Sequence, residues 1–197
     1  MTADLAQWQM QIARELQRAP HDRHHPWRTP VLATCSREGE PRARTVVLRR
    51  MVQEGAQAHI YTDARSSKVD DLRARPLFSL VFWSPRLNLQ LRVQGPALVH
   101  LQGPVVDEAW SRMRQAPSVG DYLSARAPGQ ELDPLAAPPA PAGLDSLDRA
   151  AAAHHLAVIE CRAESWDALL LDRAGHRRAA WRFDAQGRPD GGRWLVP

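Results

Sequence analysis

Basic and hydroxyl side chains in the first third of the chain are of the types that bind a phosphate monoester. Arg44 opens a β-branched segment that Arg49-Arg50 closes, and Tyr61-Thr62 ends the next such segment. Ser66-Ser67-Lys68 then begins a stretch with helical periodicity. A phosphate is bound by free backbone N–H groups at a helix N-terminus, by hydroxyl donors and by one or two cations. The residues alone leave two interpretations open: a phosphate site, or a helix that Ser67 caps beside a solvated Lys68.

Lysine usage singles out Lys68. The sequence contains 26 lysine and arginine residues, and Lys68 is the only lysine among them. The formal net charge is +4, and the basic residues are interleaved with 22 acidic ones. A basic chain can bind nucleic acid where its cations cluster. Because the cations are spread along this chain, we interpret them as a solvated surface of mixed charge and predict no nucleic-acid partner.

Length and composition predict a single domain over residues 1–197. Of the 197 residues 44% are apolar, which is typical of a globular protein with one core. No apolar run approaches the roughly 18 residues that a membrane helix requires. The segment from Met1 to Gln17 is polar and lacks the apolar stretch of a signal peptide. We therefore expect a cytoplasmic protein with no membrane partner.

The cysteines and histidines favour neither a disulfide framework nor a metal site. Cys35 and Cys161 fall in apolar, strand-like runs, where reduced buried thiols are expected. A disulfide between them stays open as an alternative, although it does not suit a cytoplasmic protein. His21, His24 and His25 lie in a proline-containing linker with no cysteine or acidic cluster at ligand spacing. We predict a solvated loop at these histidines and no metal.

Hydrophobic periodicity predicts one helix, five strands and a second helix in the first half of the chain. Apolar residues recur at the helical period over 4–18, which predicts an amphipathic helix within the N-terminal segment 1–20. A capping-box-like start predicts another helix from Ser67 to the residue before Pro76. Runs of β-branched residues and strict alternation predict strands over 31–35, 44–48, 58–62, 77–83 and 87–94.

The second half of the chain is predicted to return to the same barrel. Helical patterns occupy 104–115 and 119–126, and the proline-rich segment 128–143 predicts a loop or a mobile excursion. Many strands joined by short turns are typical of an antiparallel barrel or sandwich. The elements expected after the proline-rich segment are a short helix over 144–153 and strands over 156–161, 166–171 and 179–183.

Several short motifs follow one another in an order that is specific when the motifs are taken together. They are Leu32-Ala33-Thr34, Gly39 and Pro41, Arg44 to Arg49, Tyr61-Thr62 with Ser66-Ser67-Lys68, Phe82-Trp83 through Gln90 to Gly95, Trp166, and Asp172-Arg173. In this order and spacing the chain resembles the pyridoxamine 5'-phosphate oxidase-like proteins. The resemblance covers residues 30–95 well and residues 156–197 loosely.

The resemblance implies a mainly β fold with flanking helices, namely an antiparallel, Greek-key-like FMN-binding split β-barrel. It also implies that the protein works as a homodimer with FMN at the subunit interface. Arg44 and Lys68 are then phosphate contacts, and Thr62 and Ser67 donate hydrogen bonds. Gln90 reaches the polar edge of the flavin ring, which lies along the backbone of Thr45 to Leu48. Trp166 and Arg173 come from the partner subunit. The full implied cofactor site is Arg44, Thr45, Val46, Val47, Leu48, Arg49, Tyr61, Thr62, Ser66, Ser67, Lys68, Gln90, Trp166 and Arg173.

The substrate half of the family pattern is matched poorly. Arg49 stands where the oxidases carry a lysine, and only Arg112 or Arg114, out of register, could replace an expected arginine. Leu169–Leu171 stands in place of an Arg-Leu-His motif, and apolar side chains cannot bind a phosphate. We therefore expect an FMN-dependent oxidoreductase acting on an unknown small molecule, with no catalytic acid or base assigned. The alternatives are pyridoxamine 5'-phosphate oxidase itself, a flavin carrier or sensor without turnover, and a barrel that has lost its cofactor.

Overall fold

The computed structural model describes residues 4–132 and 153–197. In this part of the chain three α-helices flank ten strands, all of whose pairings are antiparallel. The helix predicted over 144–153, apart from its last residue, and most of the proline-rich segment lie outside the described residues. The elements are α1 Leu5–Arg18, β1 Val31–Cys35, β2 Pro41–Thr45, β3 Leu48–Val52, β4 Gln57–Asp63, α2 Ser67–Ala74, β5 Leu77–Ser84, β6 Leu89–His100, α3 Pro104–Met113, β7 Leu156–Arg162, β8 Ser165–Leu170, β9 Arg177–Phe183 and β10 Pro189–Leu195.

Strand β6 holds the two halves of the sheet together. Its first part, Leu89 to Gln94, pairs with β5 and β8, and its last part, Ala97 to His100, pairs with β7. One half of the sheet runs in the order β10-β9-β8-β6-β5-β1-β2, and β7 continues the other half through β4 to β3. The alternation that predicted this strand is confirmed, because Leu89, Leu91 and Val93 are buried while Gln90 and Gln94 are exposed.

Helix α1 packs its apolar face on the barrel. Ile12 and Leu16 have no exposed surface, and they join a core that contains Trp27, Phe82 and Trp166. Asp4 caps the helix by accepting a hydrogen bond from the backbone N–H of Ala6. The amphipathic helix predicted from the periodicity of residues 4–18 is thus confirmed.

The expected strand 44–48 is wrong as a single element. Strand β2 ends at Thr45 and pairs with β1, whereas β3 begins at Leu48 and pairs with β4. Between them the backbone N–H of Val46 donates to the carbonyl oxygen of Pro30. The β-branched run continues across this point, so residue type alone gives no signal that the chain changes its partner strand.

Three other differences from the expectations exceed two residues. Strand β6 begins at Leu89 and runs to His100, past the predicted end at 94. Residues 117–122 form a 3₁₀-helix in place of the helical pattern expected over 119–126. Strand β10 was not predicted, because its Pro189-Asp190-Gly191-Gly192 start has the composition of a turn. It lies at the edge of the sheet, where it is mostly exposed and where glycine and proline are tolerated.

No helix among the described residues is long and apolar enough to span a membrane. Both cysteines are free thiols, and burial raises the pKa of the Cys161 thiol. His25 lies buried between α1 and the barrel, where its Nδ1 accepts from the backbone N–H of Trp27 and its Nε2 is 3.0 Å from Glu15. This histidine therefore secures the linker to α1, and the solvated loop predicted for it is wrong.

Candidate functional site

The turn between β4 and α2 brings two hydroxyls and an ammonium group together. Lys68 Nζ donates to Thr62 Oγ1 at 3.0 Å, and the hydroxyls of Thr62 and Ser66 are 3.2 Å apart. Thr62 and Ser66 are buried, with 7% and 3% of their surface exposed. Because the Lys68 ammonium contacts the Thr62 hydroxyl, which in turn contacts the Ser66 hydroxyl at the start of a helix, the turn has the donors that an anion requires. We call Thr62, Ser66, Lys68 and the neighbouring Arg44 the anion cluster.

Ser66, and not Ser67, is the N-cap residue of α2. The helix begins at Ser67, whose side chain is exposed. Ser66 has the extended backbone of an N-cap but its hydroxyl makes no capping hydrogen bond. The interpretation that Ser67 only caps the helix is therefore wrong. Among the described residues the backbone N–H groups of Ser67 and Lys68 make no hydrogen bond, whereas the N–H of Val69 donates to the carbonyl oxygen of Ser66.

The same turn is fixed from its other side by an ion pair. Arg65 Nη2 donates to Asp63 Oδ2 at 2.7 Å, and the backbone N–H of Arg65 donates to Asp63 Oδ1 at 2.8 Å. The Arg65 guanidinium also donates to the carbonyl oxygens of Ser124, Ala125 and Arg126. Burial opposes ionisation of Asp63, but the hydrogen bonds from Arg65 lower the pKa of this carboxyl below its usual range. These contacts tie the turn to residues 124–126.

Arg44 approaches the turn from strand β2. Its Nη1 donates to Thr34 Oγ1 at 2.6 Å and its Nη2 donates to Asp71 Oδ2 at 3.3 Å. Burial lowers the pKa of Lys68, and the positive charge of Arg44 lowers it further. Among the described residues Lys68 has no salt bridge with an acidic side chain. Arg44 is thus paired with the carboxylate of Asp71, whereas Lys68 has no such partner, so a bound anion would offset the positive charge at Lys68.

Arg49 lies at a β-bulge next to this cluster. Leu48 pairs with Ile60 and Arg50 pairs with His59, which leaves Arg49 as an extra residue in β3. Bulges of this kind redirect a side chain. The Nε of Arg49 is buried without a hydrogen-bond partner among the described residues. Burial raises the pKa of the Tyr122 hydroxyl, and the adjacent Arg49 guanidinium opposes that rise.

The other predicted site residues near β3 differ in how much of their surface is exposed. Val46 and Leu48 are buried, Thr45 is exposed, and Val47 and Tyr61 are half-buried.

Arg112, a candidate for binding a substrate anion, donates to Glu108 at 2.6 Å, and Arg50 donates to the same carboxylate. Arg114, the other candidate, is half-buried at the C-terminal end of α3. Arg112 is therefore already paired with a carboxylate.

Gln90, Trp166 and Arg173 do not join the anion cluster within one chain. Gln90 is exposed on the outer face of β6, between Trp83 of β5 and Leu169 of β8. Arg173 is exposed in the turn after β8. Trp166 has no exposed surface and packs against Phe183 in the core, with its Nε1 unpaired among the described residues. A side chain buried in its own barrel offers no surface to a second subunit.

Two polar residues that contact the anion cluster receive no site role in the sequence analysis. Thr34 and Asp71 hold Arg44, but the sequence places Thr34 only in a strand and in a family motif, and it assigns no role to Asp71. The only signal for Asp71 is its position three residues after Lys68, which places both side chains on one face of α2. The contact of Asp71 with Arg44 joins residues 27 positions apart, that of Thr34 joins residues 10 positions apart, and both depend on the fold.

The part of the chain that contains the anion cluster matches a domain of known proteins. Residues 5–101 match the family model of the pyridoxamine 5'-phosphate oxidase FMN-binding domain. A pyridoxine-5'-phosphate oxidase from Bos taurus is 42% identical over 65 residues, which are 33% of this chain and 24% of that protein. A pyridoxine/pyridoxamine 5'-phosphate oxidase from Acinetobacter baylyi is 40% identical over 72 residues, 36% of this chain and 32% of that protein. The chain thus spans at most about a third of the length of these curated relatives.

Solved structures match the chain over nearly its whole length. A pyridoxamine 5'-phosphate oxidase-related, FMN-binding protein from Nostoc punctiforme superposes with a TM-score of 0.70 at 21% identity, covering 98% of this chain and 99% of that one. PhzG from Burkholderia lata, solved in complex with tetrahydrophenazine-1-carboxylic acid, superposes with a TM-score of 0.67 at 16% identity, covering 98% and 90%. At these identities the two structures establish the shared split-barrel fold.

Proposed function

This chain belongs to the pyridoxamine 5'-phosphate oxidase-like family of FMN-binding split barrels, and we propose that it binds FMN and acts as an FMN-dependent oxidoreductase on a small molecule. The observation that carries the proposal is the anion cluster. It places the Lys68 ammonium, the Arg44 guanidinium and the hydroxyls of Thr62 and Ser66 at one helix N-terminus. A phosphate monoester carries about −1.5 to −2 charges at neutral pH, and the cluster offers it the Lys68 ammonium together with a guanidinium that also pairs with Asp71.

The residues of the chain fit the cofactor in chemistry as well as in position. Lys68 and Arg44 bind the phosphate, and Thr62 and Ser66 donate hydrogen bonds to its oxygens. The break between β2 and β3 leaves the backbone of Val46 and Val47 outside both strands, where it can run along a planar ring. Bound FMN supplies the hydride chemistry, and the protein positions and orients it.

We also propose that two copies of the chain share the cofactor. On the outer face of β1 and β5, Val31 and Trp83 are 39% and 42% exposed, although both are large apolar side chains. Gln90 lies on the same face, next to Trp83. Exposed apolar side chains next to a polar residue that contacts the cofactor are typical of a face that a second subunit covers. Arg173, exposed after β8, would reach the cofactor of the partner.

The pH dependence of flavin binding tests the assignment of Lys68. Because burial and Arg44 lower the pKa of Lys68 below its usual value, the ammonium loses its proton at a lower pH than a solvated lysine does. Below that pKa the charged form binds phosphate, and above it the attraction is lost. The ratio of FMN affinity to riboflavin affinity, measured by equilibrium titration, should therefore fall as the pH rises through the lysine pKa.

The charge-preserving variant Lys68→Arg is the control for this titration. Its guanidinium keeps its proton over the whole range, so the affinity ratio should stay constant with pH, even if FMN binds less tightly because arginine has a different geometry. A ratio that falls equally in wild type and in this variant would remove Lys68 from the site.

Pyridoxamine 5'-phosphate oxidase is the second candidate, since the curated relatives carry that activity in their names and share about 40% identity over the matched segment. The substrate side of the chain does not favour it. Leu171 is an exposed leucine where a phosphate ligand is expected, and Arg112 is paired with Glu108. We expect pyridoxamine 5'-phosphate to leave the absorbance of the bound flavin unchanged when mixed without oxygen. Bleaching within seconds would establish the second candidate instead.

A flavin carrier or sensor without turnover is distinguished by the same assay. An oxidoreductase requires at least one electron donor, so NADH, NADPH and a panel of small reductants can be mixed with the FMN-loaded protein without oxygen. Bleaching by one of them supports the enzyme. A flavin that none of them reduces favours the carrier.

A further inference from the structure

Asp71 is a buried carboxylate that holds one of the two cations of the anion cluster. Its side chain is 3% exposed. Its Oδ2 accepts from Thr34 Oγ1 at 2.7 Å and from Arg44 Nη2 at 3.3 Å, and its Oδ1 accepts from Arg42 Nη1 at 3.1 Å. A carboxylate this deeply buried is retained only when its oxygens are paired. Its partners include the guanidinium that faces Lys68.

Thr34 extends the hold of Asp71 to the second terminal nitrogen of Arg44. The Thr34 hydroxyl has one hydrogen, and the 2.7 Å contact directs it to Asp71 Oδ2. The oxygen lone pairs then accept from Arg44 Nη1 at 2.6 Å. The carboxylate thus fixes Nη2 directly and Nη1 through the hydroxyl. An arginine side chain held in this way loses little conformational freedom when it binds a ligand.

Helix α2 places Lys68 and Asp71 on one face, three residues apart. Asp71 draws Arg44 toward this face, and the charge of Arg44 lowers the pKa of Lys68. We infer that Asp71 is a positioning residue, which together with Thr34 fixes Arg44 for the cofactor phosphate. This inference rests on the proposed function, since it assigns a role within the FMN site.

The direction in which FMN affinity changes in one variant separates a positioning role for Asp71 from a purely electrostatic one. Asp71→Asn removes a negative charge close to the phosphate. If Asp71 acted only through its charge, the variant would bind FMN more tightly, because repulsion is removed. If Asp71 fixes Arg44, the variant binds FMN more weakly. We expect FMN affinity to fall about 5- to 30-fold, the loss of one oriented charged contact. Riboflavin, which lacks the phosphate, should bind as in wild type.

Two further variants control the experiment. Glu40→Gln removes an exposed carboxylate that pairs with Arg42 at 3.3 Å and does not contact Arg44. It should leave the FMN-to-riboflavin affinity ratio unchanged. Thr34→Val removes the hydroxyl without changing any charge, so it tests the same hold if Asp71→Asn fails to fold. This variant should also lower FMN affinity and spare riboflavin.

The outcomes distinguish a failure of the role of Asp71 from a failure of the proposed FMN binding. Wild type that binds neither FMN nor riboflavin overturns the proposed function. Wild type that binds FMN, with a folded Asp71→Asn variant that binds it equally or more tightly, overturns only the role of Asp71. Equal losses of FMN and riboflavin affinity also contradict the inference, because they indicate general damage to the barrel.

Discussion

Lys68→Ala should weaken FMN binding by roughly 1.5–3 kcal/mol, about a 10- to 150-fold rise in the dissociation constant. The substitution removes the ammonium that donates to Thr62 at 3.0 Å and that lies closest to the start of α2. It also removes the repulsion between Lys68 and Arg44, so the free protein is expected to keep its fold. The loss should therefore appear in cofactor affinity and not in thermal stability.

Arg73→Ala is the matched control for this experiment. Arg73 lies on the same helix and is exposed at its C-terminal end, so its removal changes the net charge by the same amount. Fluorescence titration with FMN should give the wild-type dissociation constant for Arg73→Ala and the weakened one for Lys68→Ala. Equal affinities in wild type and Lys68→Ala would show that the phosphate does not contact this lysine.

Gly95→Ala should destabilise the fold by more than about 3 kcal/mol. Gly95 lies in β6 where the strand leaves β8 and turns to β7. A Cβ at this position would come within 2.1 Å of the carbonyl oxygen of Arg162 and 2.9 Å of the backbone nitrogen of Glu164. The added methyl would therefore meet backbone atoms, which cannot rotate away as a side chain can.

The surrounding hydrogen bonds explain why the backbone cannot yield. The N–H of Glu164 donates to the carbonyl of Gln94 at 2.8 Å, and the N–H of Ala163 donates to Ala56 at 2.7 Å. Moving the β7–β8 connection would break both bonds. Urea unfolding should show the loss for Gly95→Ala, while Gln94→Ala, an exposed neighbour, should stay within about 0.5 kcal/mol of wild type. A Gly95→Ala protein as stable as Gln94→Ala would disprove the close approach.

Local patterns were sufficient for most single elements. The apolar spacing of residues 4–18 predicts α1, and the alternation of Leu89, Leu91 and Val93 predicts β6, because each pattern reflects one buried face. The break at Val46 and the edge strand β10 have no such pattern. Their positions depend on which strands they pair with, and that depends on residues far away in the sequence.

The candidate site likewise contains residues that a local pattern brings together and residues whose contacts depend on the fold. Lys68, Thr62 and Ser66 lie within seven residues of one another, so a helix start after a strand is enough to bring them together. Arg44 was placed by resemblance to a family motif, and its contacts with Thr34 and Asp71 depend on the pairing of β1 with β2 and on the docking of α2. Trp166 shows the opposite case, since a motif position that implied a partner contact is filled by a core residue.

The measurement that tests the account most directly is the absorption spectrum of the protein as it elutes from a size-exclusion column, with the mass of the released cofactor. The account predicts flavin bands in a peak of dimer size and a released mass equal to that of FMN. Dilution that dissociates the dimer should release the flavin. A colourless protein that takes up no added FMN would contradict the cofactor assignment, and flavin that stays bound to a monomer would contradict the shared site.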